Sequence, residues 1–203
     1  SESASFERIP NPFAAVAESG PLPATSNMFY GHKDYINDAV DAILQSTQSK
    51  QVLIYGQKRS GKSSVLNRVE AKLVESGAFC VKFSLGKIVR GLSEGSFYYK
   101  ILSDIQSQLE DMREDGKSVP EFNLPAKKDF INEDQDNPVE TFTKYLRQYK
   151  RSCKKTSGWA DKRLVIMIDE FTYMYGKIKM GIIDPSIMQQ WKDVPKDESA
   201  LFS

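Results

Sequence analysis

Strands that alternate with helices along the chain predict an α/β fold built on a mostly parallel sheet. Three observations carry that expectation. The runs QVLIY (51–55) and LVIMI (164–168) are short and apolar throughout, as in strands covered on both faces. FCVKFSL (79–85) alternates apolar and polar like a strand. Between these runs lie segments whose apolar residues recur at helical spacing.

Residues 1–27 carry Pro10, Pro12, Pro21 and Pro23 among small residues, which predicts an extended lead-in ahead of a domain spanning 28–203. Asp34 is placed to cap a helix whose Ile36, Ala39, Val40, Ile43 and Leu44 share one stripe, ending near Ser46. After the first strand, Lys62 to Ser76 reads as a helix stopped by Gly77. Residues 96–114 form the next helix through Phe97, Ile101, Leu102, Ile105, Leu109 and Met112. The stretch 115–137 is polar and broken by Pro120 and Pro125, hence a loop or insertion. Pro138 suits the first position of a helix to about Lys155, and a last helix is expected from Pro185 through Ile187, Met188 and Trp191.

Composition narrows the function. A chain of 203 residues is long enough for one domain with a substantial core. Its net charge of +1 creates no global field to draw nucleic acid or an anionic membrane. Cys80 and Cys153 stand far apart and His32 is the sole histidine, which argues against a zinc site or disulfide framework and for a reducing compartment. No apolar run approaches the ~18 residues of a membrane span, and the first residues lack a signal-peptide layout. The expected location is the cytoplasm, with no membrane partner. The chain starts with Ser, not Met, and is expected to be a fragment.

GQKRSGKSS (56–64) fits G-x-x-x-x-G-K-[ST], with a strand before it and a helix after it. Such a glycine-rich turn curls so that successive N–H groups point at phosphate oxygens, and the helix start adds its positive end. Gly56, Gln57, Lys58, Arg59, Ser60, Gly61 and Ser64 supply this cradle. Lys62 bridges the outer phosphates and the Ser63 hydroxyl ligates magnesium. The bland alternative is a glycine turn before an ordinary helix. LVIMIDE (164–170) ends a buried strand with two carboxylates at the end where parallel sheets place ligand chemistry. Asp169 then holds the magnesium, and Glu170 is the general base that polarises water. Alone, the pair could simply terminate a strand. Together the two motifs make the fold a three-layer α/β/α P-loop NTPase, with ATP and Mg2+ as cofactors.

Other features are weaker. In MFYGH, either the aromatics and the glycine, Phe29 and Gly31 among them, edge the nucleotide base, or Phe29 and Tyr30 staple the first helix. The FYYK group (97–100) gives one helix face to the core, and Lys150, Arg151, Lys154 and Lys155 read as a solvated helix end favoured by the dipole.

NPF, FYGHKDYI, GQKRSGKSS and LVIMIDEF together resemble the nucleotide-binding part of a STAND-type P-loop ATPase, close to the AAA+ and archaeal-ATPase groups. The resemblance implies a signalling switch driven by Mg-ATP, a homo-oligomer in the full-length protein, and effector or sensor domains outside this chain. Relatives carry FxGR before the first helix, near adenine; Phe29 and Gly31 match, and His32 replaces the arginine. No guanine-specific motif is present, which favours ATP over GTP. The resemblance also implies a sensor strand between the phosphate-loop strand and the Asp-Glu strand. The chain stops at Ala200-Leu201-Phe202-Ser203, where that strand would begin, so the sheet is expected to be incomplete, exposing a slot or borrowing a strand. No arginine follows Arg163 to act as a finger. The rival readings are an AAA+ ATPase acting on nucleic acid, a small-molecule kinase, whose two strands would pair directly, and a non-nucleotide scaffold.

Overall fold

Leu164 to Ile168 are apolar at every position, and such a strand is stable only where both of its faces are covered. The structure, a computed structural model, describes residues 33–45, 51–53, 61–85, 93–133, 138–185 and 199–202. The elements are α1 (Lys33–Leu44), β1 (Gln51–Leu53), α2 (Lys62–Glu75), β2 (Phe79–Ser84), α3 (Glu94–Glu114), α4 (Lys127–Glu133), α5 (Pro138–Lys155), β3 (Leu164–Asp169), α6 (Thr172–Lys179) and β4 (Ser199–Phe202). The strands form one sheet in the order β1-β4-β3-β2, parallel at every pairing.

Alternation along β2 and β3 sorts the core into two layers. Phe79, Val81 and Phe83, paired in register with Leu164, Ile166 and Ile168, pack against α3, α4 and α5. Cys80, Val165 and Met167 face the other way, onto α1 and α2. That is the three-layer α/β/α arrangement the sequence predicts. Lys82, on the α2 side, reaches the α2 surface and pairs there with Glu70 and Asn67.

The sheet order corrects one expectation. β4 lies between β1 and β3, with Leu201 opposite both Val52 and Met167. The chain's own residues 199–202 fill the slot expected to stand empty or to borrow a strand. Their N–H and C=O groups meet a neighbour on each side, which satisfies the backbone of both flanking strands. The direct β1–β3 pairing of the kinase and GTPase class is not formed.

Other boundaries shift. Asp34 sits inside the first turn of α1 rather than capping it. Ser93 caps α3, its hydroxyl accepting from the Ser96 N–H, so that helix starts at Glu94 instead of 96. The segment 115–137, expected as a loop, contains α4, whose Phe130 is buried. Its extended part is tied down: Trp159 Nε1 donates to the Ser118 carbonyl, Tyr99 to the Pro125 carbonyl, and the Leu124 N–H to Gln106. α6 has no counterpart among the elements expected from the sequence, while the helix expected from Pro185, with Ile187, Met188 and Trp191, falls outside the described residues beyond Pro185 itself.

Candidate functional site

Parallel strands end on one edge, so Leu53, Ser84, Asp169 and Phe202 close the same side of the sheet. Glycine at 61 answers a backbone demand. Its φ of 84° and ψ of 13° are left-handed, a conformation that costs a residue with a Cβ roughly 1–2 kcal/mol. Gly61 forms the N-cap of α2, accepting from the Val65 N–H at 3.0 Å. No side chain caps this helix, so none competes for a start that carries the partial positive charge of the dipole. Lys62 and Ser63 are half-buried in the first turn and Ser64 is buried.

Across the sheet, β3 delivers Asp169 half-buried and Glu170 exposed. Asp169 Oδ1 accepts from the Glu170 N–H at 2.8 Å. Glu170 has φ 57°, the one non-glycine residue in left-handed backbone among the described residues. Holding it there costs on the order of 1–3 kcal/mol, a strain that collects at functional sites. The turn is sustained by the Tyr173 N–H, which donates to the Glu170 carbonyl at 3.0 Å and starts α6.

A residue that sequence reasoning missed completes this corner. Ser84 lies opposite Asp169 in the β2–β3 register, and its Oγ donates to Glu170 Oε2 at 2.6 Å. The hydroxyl fixes one carboxylate oxygen and thereby the direction of the group. The two residues are 86 apart in sequence, and the only local signal is a polar residue at the carboxyl end of a strand.

The structure thus places Gly61, Lys62, Ser63 and Ser64 at the helix start, and Asp169 and Glu170 at the end of β3. Gly56, Gln57, Lys58, Arg59 and Ser60 lie outside the described residues, as do Phe29, Gly31 and His32. A further carboxylate, Glu94 at the start of α3, is distinct from this set. Its Oε1 is buried with no hydrogen-bond partner among the described residues. Burial, and then the Asp184 carboxylate, raise its pKa above the usual range, against a backbone hydrogen bond from Asp184 that lowers it. Burial likewise pushes the Cys80 thiol up to about 12, with Glu70 adding and Lys82 opposing, which leaves that cysteine protonated and inert.

A family model for the AAA domain matches residues 45–200, from just before β1 into β4. The chain belongs to the AAA domain family. Membership makes it a nucleotide-binding domain of the P-loop ATPase class, consistent with the helix start and the carboxylate pair on one sheet edge. No curated protein matches the chain. No helix among the described residues of this AAA domain is long and apolar enough to cross a membrane.

Proposed function

We propose that this AAA domain is the ATP-binding and ATP-hydrolysing core of a STAND-like signalling ATPase, with Mg-ATP controlling a conformational or oligomeric switch. The observation that carries the reading is Glu170, exposed in left-handed backbone at the end of β3 with its carboxylate held by Ser84. A base held in one direction is what water activation needs. The order β1-β4-β3-β2 adds support, since it separates the phosphate-loop strand from the Asp-Glu strand.

The loop 56–64 cradles the phosphates and Lys62 neutralises the outer ones. Phe29 and Gly31 flank the adenine. Ser63 and Asp169 offer a hydroxyl and a carboxylate, the hard oxygen donors that magnesium takes, so the donor set fits that ion. Bound magnesium supplies charge neutralisation on the phosphates. Glu170 accepts the proton of the attacking water while the water oxygen bonds to the γ-phosphorus and ADP leaves. Cytoplasmic signalling through a homo-oligomer belongs to the same proposal. A nucleic-acid role is favoured by one feature, the basic outer face of α5.

Calorimetry with ATP and magnesium tests the binding half: Lys62→Ala should abolish tight binding in a protein that still folds. Turnover in the full-length protein tests the chemistry. Glu170→Gln should keep nucleotide bound and slow hydrolysis by ~10²–10⁴. Unchanged affinity in the first variant, or unchanged turnover in the second, refutes the corresponding half.

A further inference from the structure

α5 carries six basic residues and one acid, Glu140, in 18 positions, whereas the whole chain is nearly balanced at 28 basic to 27 acidic. The charges are sorted by face. Phe142, Leu146, Tyr149 and Cys153 are buried, while Lys144, Arg147, Arg151, Lys154 and Lys155 are exposed; Glu140, exposed one turn before Lys144, opens the same face, and from Lys144 onward that face carries Gln148 and no carboxylate. At 1.5 Å per residue these five cations occupy a row about 16 Å long.

Amphipathicity explains why this face is polar, not why it has one sign. α3, the neighbouring long helix, mixes five acids with two bases. Cations at i,i+3 and i,i+4 repel, at a cost of about 0.2–0.5 kcal/mol per pair. The helix dipole offsets that for Lys154 and Lys155 in the last turn, but not for Lys144 and Arg147 further back. Arg147, Arg151, Lys154 and Lys155 make no ion pair among the described residues. These four are charge left without a counter-ion among the described residues.

We propose that the outer face of α5 docks the phosphate backbone of double-stranded DNA, without reading its sequence. A row of cations complements a polyanion, and arginine forks match phosphate oxygens. No large apolar side chain of α5 is exposed to enter a bilayer. No aromatic ring is exposed on it to stack unpaired bases. The A-form major groove of duplex RNA is too narrow for a helix, whereas that of B-form DNA admits one. The face is separate from the Asp-Glu corner: α5 leads into the opposite end of β3, about 20 Å away along a six-residue strand. The proposal therefore stands independently of the ATPase reading.

Fluorescence anisotropy of the full chain with two unrelated DNA duplexes, in the absence of nucleotide, tests it. The two sequences should bind equally, with affinity falling steeply between about 50 and 200 mM salt. Replacing Arg147, Arg151, Lys154 and Lys155 together by Ala should lower the log–log salt slope by about 3–4 and weaken binding at about 50 mM salt by more than ~10²-fold. If that variant fails to fold by circular dichroism, Arg147→Gln and Arg151→Gln singly should each lower the slope by about 1. Any of these results overturns the proposal: no duplex binding at low salt; parental affinity and slope in the variants; preference for duplex RNA; stripe-dependent binding to phosphatidylserine vesicles instead of DNA; or salt-sensitive self-association through the same residues in place of DNA binding.

Discussion

The two faces of the sheet are built from alternate residues of the same strands, yet they differ in kind. The α3–α5 face is aromatic. Phe79 meets the Trp159 ring at 5.2 Å, Tyr98 meets Phe142 at 5.0 Å, and Phe122 from the irregular stretch meets Tyr149 at 5.7 Å. The α1–α2 face is aliphatic: Ile36, Ile43, Leu66, Val69 and Leu73 pack over Cys80, Val165 and Met167. Its polar ties lie at the margin, where Arg163 donates to the Ile43 carbonyl and Lys72 to Asn37. Large rings with polar tips can pin chain that has no regular structure, whereas short aliphatic chains cement regular elements only. The aromatic face therefore anchors the fold, and the aliphatic face carries the helix whose start would hold phosphate.

That division can be broken by experiment. Phe142 is fully buried, so Phe142→Ala should cost about 3–5 kcal/mol in urea unfolding while leaving ATP affinity of the folded protein unchanged. Leu66→Ala, in α2, should cost about 2–5 kcal/mol and also weaken ATP, because it loosens the helix that follows the loop. Equal effects of both on affinity would erase the distinction. A smaller effect sharpens it at the edge between the faces. Ser84→Ala removes one hydrogen bond from Glu170 and should slow hydrolysis about tenfold with unchanged affinity. Ser84→Thr, which keeps the hydroxyl, should recover most of the rate; loss of rate in both would point to packing.

The smallest expected effect concerns Glu94, on the aromatic side. Its raised pKa means that the folded state favours the protonated form. The stabilising contribution is complete below the ordinary value of 4.5 and is lost as pH rises through the raised one. Glu94→Gln, which resembles the protonated form, should therefore raise Tm slightly at pH 7. The gain should vanish on acidification to about pH 4. A lower Tm at neutral pH would show that the charge at this helix start is favourable.

What the sequence disclosed follows from how local each signal is. β3, α5 and the start of α2 were readable because an apolar run, an N-terminal proline and a glycine motif act within a few residues. α4 and the tied stretch before it were not, since a polar, proline-broken sequence is ordered there by Trp159, Tyr99 and Gln106 from distant elements. α6 was hidden by Gly176 in a helix of only eight residues. β4 is four residues long, too short to show a period. Of the candidate site, the phosphate helix and the carboxylate pair were legible. The Ser84–Glu170 contact was not, because it depends on strand register.

The interior position of β4 has a consequence for biogenesis. β1 touches the rest of the sheet only through β4, which lies about 150 residues later in the chain. At ~5–20 residues per second, a ribosome needs roughly 7–30 s to make that stretch. Throughout that interval β1 has no parallel neighbour, and β3, once made, has an open side for the last ~30 residues of it, edges of the kind that recruit stray strands. Nascent chains of this domain are therefore expected to occupy holding chaperones until residue 202 clears the exit tunnel, and then to close the sheet in one late step.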